Sequence, residues 1–273
     1  MKRIAKIAIM IGLIFLLLPG LSFGTGLDLR IYGGLSYFSP QDVNKGVKGW
    51  TDLHAEFLTD AGYSQQGDTE PIRWGMDLGG DILVHFTPVV ALGIGVGYIK
   101  GDKTSEIIFE KGTTVSMTNQ IRISAVPIRA GLFFTIPMNH SANLSLHVGS
   151  GYYLAKCNWD WNSGSLGELH HSTKANGFGF DGGLGFEFNL SPGLAFFVEG
   201  TARYAKIKGF EGTEKGREVS DTWEQEGTLY YVEGTSYPAL LLRESMPSGY
   251  RIAREAEVDF SSVAVTAGLK LKF

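Results

Sequence analysis

The chain has 273 residues, of which 44% are hydrophobic, 12% aromatic and only 19% charged, a balance that excludes a disordered tail, a collagen-like repeat and a disulfide framework. Glycine stands at 37 and proline at 9; glycine is thus about twice its usual ~7%, as expected for glycine used inside strands rather than in a helix bundle. The formal charge of -4 offers no basic footprint for nucleic acid, and a lone Cys157 excludes an intrachain disulfide or a cysteine-based zinc cluster.

Lys2, Arg3 and Lys6 precede an unbroken apolar run from Ile7 to Leu18, then Pro19-Gly20 and Ser22-Phe23-Gly24, with small residues flanking a cut after Gly24. This predicts a secretory signal peptide over 1–24 and one exported domain over 25–273. The run is shorter than the ~20 apolar residues of a spanning helix. No later stretch is long and apolar enough for one either, so a membrane-embedded mature chain has to cross by β-strands.

Two-residue alternation then recurs along the chain. In Leu27 to Phe38, Leu27, Leu29, Ile31, Leu35 and Tyr37 oppose Asp28, Arg30, Gly34 and Ser36. Residues 39–73 form a long connection in which Thr51 can cap and Gly62 can end a short amphipathic helix, with Leu53, Phe57 and Ala61 on one face. In Trp74 to Phe86, Trp74, Met76, Leu78, Ile82 and Val84 oppose Gly75, Asp77, Gly79 and Asp81. Further strands are predicted over Val90 to Tyr98, Val126 to Ile136, Leu144 to Leu154, Phe178 to Leu190, Leu194 to Tyr204 and Val263 to Phe273, eight in all. Short links at 87–89, 137–143 and 191–193 alternate with long ones at 39–73, 99–125, 155–177 and 205–262.

Alternation does not say which face is inside, but the loop asymmetry does, because transmembrane barrels have tight periplasmic turns and long external loops. The Gly, Ser, Thr and charged face suits the filling of a narrow barrel. The predicted fold is therefore an all-β, eight-stranded antiparallel up-and-down transmembrane β-barrel. Tyr32, Tyr37, Phe38, Trp74, Phe86, Tyr152, Tyr153 and Tyr204 lie near strand ends, where interfacial anchors belong. Ile121 and Ile123 share parity with inward Arg129, which implies either a bulge near 125–127 or a segment already above the bilayer.

The last strand, S-S-V-A-V-T-A-G-L-K-L-K-F, ends on Phe273 and resembles the C-terminal assembly signal of bacterial outer-membrane β-barrel proteins. Together with the signal peptide, strand count and loop asymmetry, the mature chain resembles the small OmpA/OmpX-type, porin-like barrels. That resemblance implies a Gram-negative-type outer membrane, surrounding lipid, and insertion by the barrel-assembly machinery. It implies no particular task.

The inward face carries Asp28, Arg30, Asp77, Asp81, Arg129, His147, Asp181, Glu187, Glu199, Arg203 and Lys270, charges that have to pair in so narrow an interior. They predict a static polar plug or, alternatively, a gate in which Arg129 and Arg203 exchange partners among Asp77, Asp81, Glu187 and Glu199. His147 with Ser145 and Ser150 has the residue types of a lipid hydrolase, but parity sets Ser150 on the opposite face. Glu168, His170 and His171 read as a solvated loop rather than a metal site, and Cys157 as an inert thiol or an interchain cross-link. No cofactor or catalytic residue is assigned. The loops 39–73 and 205–262, the latter rich in Tyr, Trp and acids, are the candidate surface for an external ligand. The sequence thus predicts a monomeric, non-enzymatic structural or recognition barrel, with a narrow or gated channel for small solutes as the alternative and a lipid-modifying enzyme as a remote one.

Overall fold

The computed structural model describes residues 26–164, 167–218, 221–234 and 236–273; the predicted signal peptide lies outside them. In chain order the elements are β1 (Leu27–Phe38), α1 (Gln41–Asp60), β2 (Ser64–Gln66), β3 (Trp74–His85), β4 (Val90–Glu110), β5 (Thr114–Pro137), β6 (Ala142–Asn162), β7 (Glu168–Ser191), β8 (Leu194–Tyr204), β9 (Lys206–Ile207), β10 (Glu211–Glu218), β11 (Asp221–Glu233), β12 (Pro238–Arg243), β13 (Ile252–Glu255), β14 (Val258–Asp259) and β15 (Ser262–Lys272). Strands β1, β3, β4, β5, β6, β7, β8 and β15 pair antiparallel in that order, and β15 returns to β1 from Asp28↔Lys272 to Phe38↔Ser262. The ring of eight is closed, as the alternation predicts.

Its outer wall is apolar: Ile31, Leu35 and Val265 are 59%, 62% and 62% exposed, which suits a lipid surrounding and would aggregate in water. From Leu27 to Tyr37 the band is about 25 Å tall for strands tilted by ~40°. Tyr37 and Trp74 stack edge to face at its upper rim, centroids 5.3 Å apart, and Phe86 and Phe273 mark the lower one.

The expectation of loops over 99–125 and 155–177 is corrected. Strands β4 to β7 run 21, 24, 21 and 24 residues, about twice what a crossing needs, so most of the described chain in those segments is paired strand. Above the band the same alternation persists while the solvent outside changes from lipid to water. The apolar set therefore moves to the inner face, where Ile99, Ile107, Ile121, Ile123, Trp159 and Leu169 are buried, while Asp102, Arg122, Lys156 and Lys174 face out. Pairs Val96↔Ile128 and Ile99↔Ala125 lie on one register, so Ile121 and Ile123 mark a segment above the bilayer and not a bulge.

Much of the described chain within 205–262 is strand as well. β10, β11 and β12 add successively to the free edge of β7, β2 adds to β4, and Phe210, Leu229, Tyr231, Leu240, Val258 and Phe260 are buried in the extracellular core. Helix α1 packs against β12, β2, β11 and β14, closing this upper wall where strands do not.

The helix starts at Gln41, ten residues before the expected Thr51. Pro40 presets the entry, and Asp42 sits at the positive end of the helix, bound by Arg254 at 2.5 and 2.7 Å and by the Glu257 amide at 2.9 Å. Thr51 lies mid-helix, donating to the Val47 carbonyl and accepting from Asn119, each at 2.9 Å. Gly62, at φ +87°, does end it. The buried face is Val43, Val47, Thr51, Ala55 and Leu58, whereas Phe57 of the expected face is 69% exposed.

Candidate functional site: a two-tier charged interior

Every second residue of the ring points inward, and the strands' staggered registers bring charges from distant parts of the chain to one level. In the upper tier Arg203 donates to Asp77 at 2.5 Å, with side chains only 2% and 3% exposed. Arg129 donates to Asp81 at 2.9 Å and lies 4.0 Å from Asp181. Arg30 donates to Glu199 at 3.1 Å, approaches Asp81 at 3.9 Å, and is held between the rings of Phe197 and Phe133, 4.1 and 5.2 Å from their centroids. His147 bridges Asp181 at 3.1 Å and Glu199 at 3.3 Å. As an imidazolium it balances the four carboxylates against the three guanidiniums. Gly95 makes room for this layer, since a Cβ there would stand 2.0 Å from an Asp81 oxygen. The void left among these groups is about 20 Å³, room for about one water.

A second tier sits at the periplasmic end. Lys270 reaches Asp28 at 3.0 Å and Glu187 at 2.9 Å, Lys272 reaches Glu187 at 2.6 Å, and His85 meets Asp28 at 2.6 Å. This separates groups expected to share partners. Glu187 faces the lysines, and Glu199 faces Arg30 and His147, so neither pairs with Arg129 or Arg203. Asp77, Asp81, Asp181 and the two arginines do share one level.

Several aromatic assignments are also corrected. Tyr32 is turned inward, its hydroxyl against Arg129, and Phe38 and Tyr153 are buried inside at 2% and 0% exposure. All three have inward parity in their strands, a signal that proximity to the strand ends obscured. Tyr37, Trp74, Phe86 and Tyr204 do face out. Phe38, Ile99, Ala125, Tyr153 and Ala155 thus form an apolar layer directly above the charges, continuous with the extracellular core.

That core holds most of the tryptophans. Trp50 meets Trp159 and Trp161 edge to face at 6.0 and 6.2 Å. His170 and His171 lie on strand β7 rather than in a loop, on opposite faces: His170 sits outside against Asp160, and His171 inside, 2.6 Å from Glu214. Burial pushes the Glu214 carboxyl up, but the hydrogen bond and charge of His171 together with the hydrogen bonds donated by Trp223 and Gln225 outweigh it, so the group sits below its ordinary range. Cys157 is buried within β6, its thiol pushed up to about 12 by burial alone, which denies it the exposure a cross-link needs. The Ser145 hydroxyl lies inside with no hydrogen-bond partner among the described residues, and Ser150 is exposed outside. Phe273 is 74% exposed at the lower rim, its amide bonded to the Leu27 carbonyl at 2.8 Å.

Among solved structures the chain is similar to the outer membrane protein OprG from Pseudomonas aeruginosa (14% identity, 91% of this chain and 96% of that one, TM-score 0.42). It is similar also to the outer membrane protease OmpT from Escherichia coli (10%, 93% and 99%, 0.43) and to Ail, the attachment invasion locus protein of Yersinia pestis (13%, 92% and 99%, 0.33). No curated protein sequence matches. The sequence profile described as "outer membrane protein beta-barrel domain" matches residues 20–224, well over half of the chain. The chain belongs to the outer membrane protein beta-barrel domain family, and its place is the bacterial outer membrane.

Proposed function

We propose that this protein is a closed, non-conducting barrel, a rigid lipid-embedded stand for the extracellular structure built from residues 39–73 and 205–262. The observation that carries this reading is the sealed interior. The charges of Asp77, Asp81, Arg129, Asp181, Glu199 and Arg203 are paired around a void of about 20 Å³, and Phe38, Ile99 and Tyr153 close the lumen above them. A conducting path would need both layers to open. The extracellular structure is then the surface for structural or recognition roles, and it carries no catalytic assignment. The test is single-channel recording of the refolded mature chain in a planar bilayer, with folding checked by the heat-dependent gel shift. Silence from a folded barrel is expected, and discrete conductance steps would replace this reading with the gated channel.

For biogenesis, the lipid-facing Phe273 on the closing strand is the group we assign to recognition by the barrel-assembly machinery. Phe273→Ala should lower the amount of heat-modifiable barrel in the envelope several-fold while leaving refolding in detergent unchanged. Normal envelope levels would remove the assignment.

A further inference from the structure

Just above the lipid-facing band the outer wall turns from apolar to charged, and one rung of it sets two like charges together. Lys156 on β6 and Lys174 on β7 are direct register partners, both exposed on the outer face. Like charges opposed across adjacent strands repel. The neighbouring cations hold carboxylates: Arg122 meets Asp160 at 2.7 Å, Lys206 meets Glu257 at 3.0 Å, Lys208 meets Glu257 at 3.5 Å, and Arg217 meets Glu168 at 3.3 Å. Among the described residues, Lys156 and Lys174 have no acid within 4.0 Å. Glu211, outward on β10 and in register with Lys174, makes no ion pair with it. The rungs on either side are uncharged, Asn158↔Ser172 above and Leu154↔Asn176 below.

Beneath them lies the most aromatic sector of the wall. Tyr152 and Phe178 are register partners with ring centroids 5.1 Å apart, Phe180 pairs with Tyr204, and Phe178, Phe180 and Tyr204 are 74%, 64% and 59% exposed. Leu154, one rung below the lysines, is the top apolar residue of this column on β6. One rung is about 7 Å along a strand, which sets the ammonium groups at the depth of the lipid headgroups, within reach of snorkelling side chains.

We propose that Lys156 and Lys174 bind the phosphorylated headgroup of an outer-leaflet lipid whose acyl chains lie on the Tyr152, Phe178, Phe180 and Tyr204 wall. A phosphate seated between the two ammonium groups turns their mutual repulsion into two charge-assisted attractions, and the aromatic wall below supplies the surface its chains require. The site lies outside the barrel and does not rest on the closed interior.

The test compares the refolded mature barrel with its Lys156→Gln, Lys174→Gln double variant in phosphatidylcholine vesicles, with and without a bisphosphorylated glycolipid. Native mass spectrometry reads the lipid retained, and the gel-shift temperature reads stability. The natural protein should retain the phosphorylated lipid about 30-fold better than the double variant and gain a stability from it that the variant does not. In plain phosphatidylcholine the variant should be at least as stable as the natural protein, since the repulsion is gone, so lost retention is not lost fold. Lys208→Gln, whose cation already holds Glu257, should behave as the natural protein does. Equal retention by the double variant overturns the proposal. It is overturned too if inorganic phosphate in plain vesicles reproduces the stabilisation, which would make the pair a free-anion site, or if Lys208→Gln loses retention to the same extent, which would make the effect one of bulk charge.

Discussion

Arg203 and Asp77 show what a narrow barrel demands of a single side chain. They are 126 residues apart in sequence, almost fully buried, and each is the other's chief partner. Removing one leaves the other as an unpaired buried charge, whereas replacing both by apolar side chains leaves no such charge. Arg203→Ala is therefore expected to destabilise the barrel by about 3–5 kcal/mol, and Arg203→Met with Asp77→Leu by much less. Urea titration in detergent, followed by gel mobility, measures both. An Arg203→Ala barrel as stable as its parent would show that the pair does not hold the interior together. At this scale parity made the inward set legible, Arg30 and His147 included. Partner choice was not, because it depends on how far each strand is staggered against the next, and nothing local in the sequence encodes that offset.

Among the elements, α1 departs most from its sequence. The predicted helix began at Thr51, read as its cap; the helix in fact runs through Gly46 and Gly49, which weaken it by propensity. In the structure they are what allows it to dock: a Cβ on Gly49 would stand 2.0 Å from the Pro238 carbonyl oxygen, and one on Gly46 2.6 Å from Leu240. Propensity alone predicts that Gly49→Ala stabilises the helix by about 1 kcal/mol. The contact predicts the opposite, a net loss of about 1–3 kcal/mol as helix and β12 are forced apart. Trp50, packed on Trp159 and Trp161, reports the outcome. Its fluorescence should shift red and the extracellular part should melt earlier. A variant that melts later would mean that β12 yields to the extra methyl. Strands β1, β3, β8 and β15, by contrast, were legible almost to the residue and β4 to β7 in their membrane halves, because a strand between lipid and a polar lumen has one face for each.

At the level of the whole molecule, the proposed closure rests on two seals of different chemistry in series. The charged tiers occupy the membrane, and the apolar layer beginning at Phe38 and Tyr153 closes the lumen above them. Breaking one leaves the other, so the silence expected in single-channel recording should persist in Arg203→Ala even as its stability falls. Conductance appearing in that variant alone would mean that the charged layer by itself closes the lumen. The extracellular sheet shares its core with α1 and the upper hairpins, so excising 208–257 would expose Ile107, Trp159 and Leu169 along with any recognition surface. Substitutions on exposed positions are the cleaner probe of binding.

By itself the sequence determined the number of membrane strands, their inward and outward faces, and a charged interior bounded by lipid. All of these follow from a period of two read against one change of solvent, which is local information. Only the tertiary structure decided that most of the described chain within 99–125, 155–177 and 205–262 is wall rather than loop, because above the membrane the same period has its meaning reversed. It alone also decided that Glu199 belongs to Arg30 and His147, and Glu187 to the lysines. Those pairings arise when a staggered ring closes and brings residues far apart in the chain to one level.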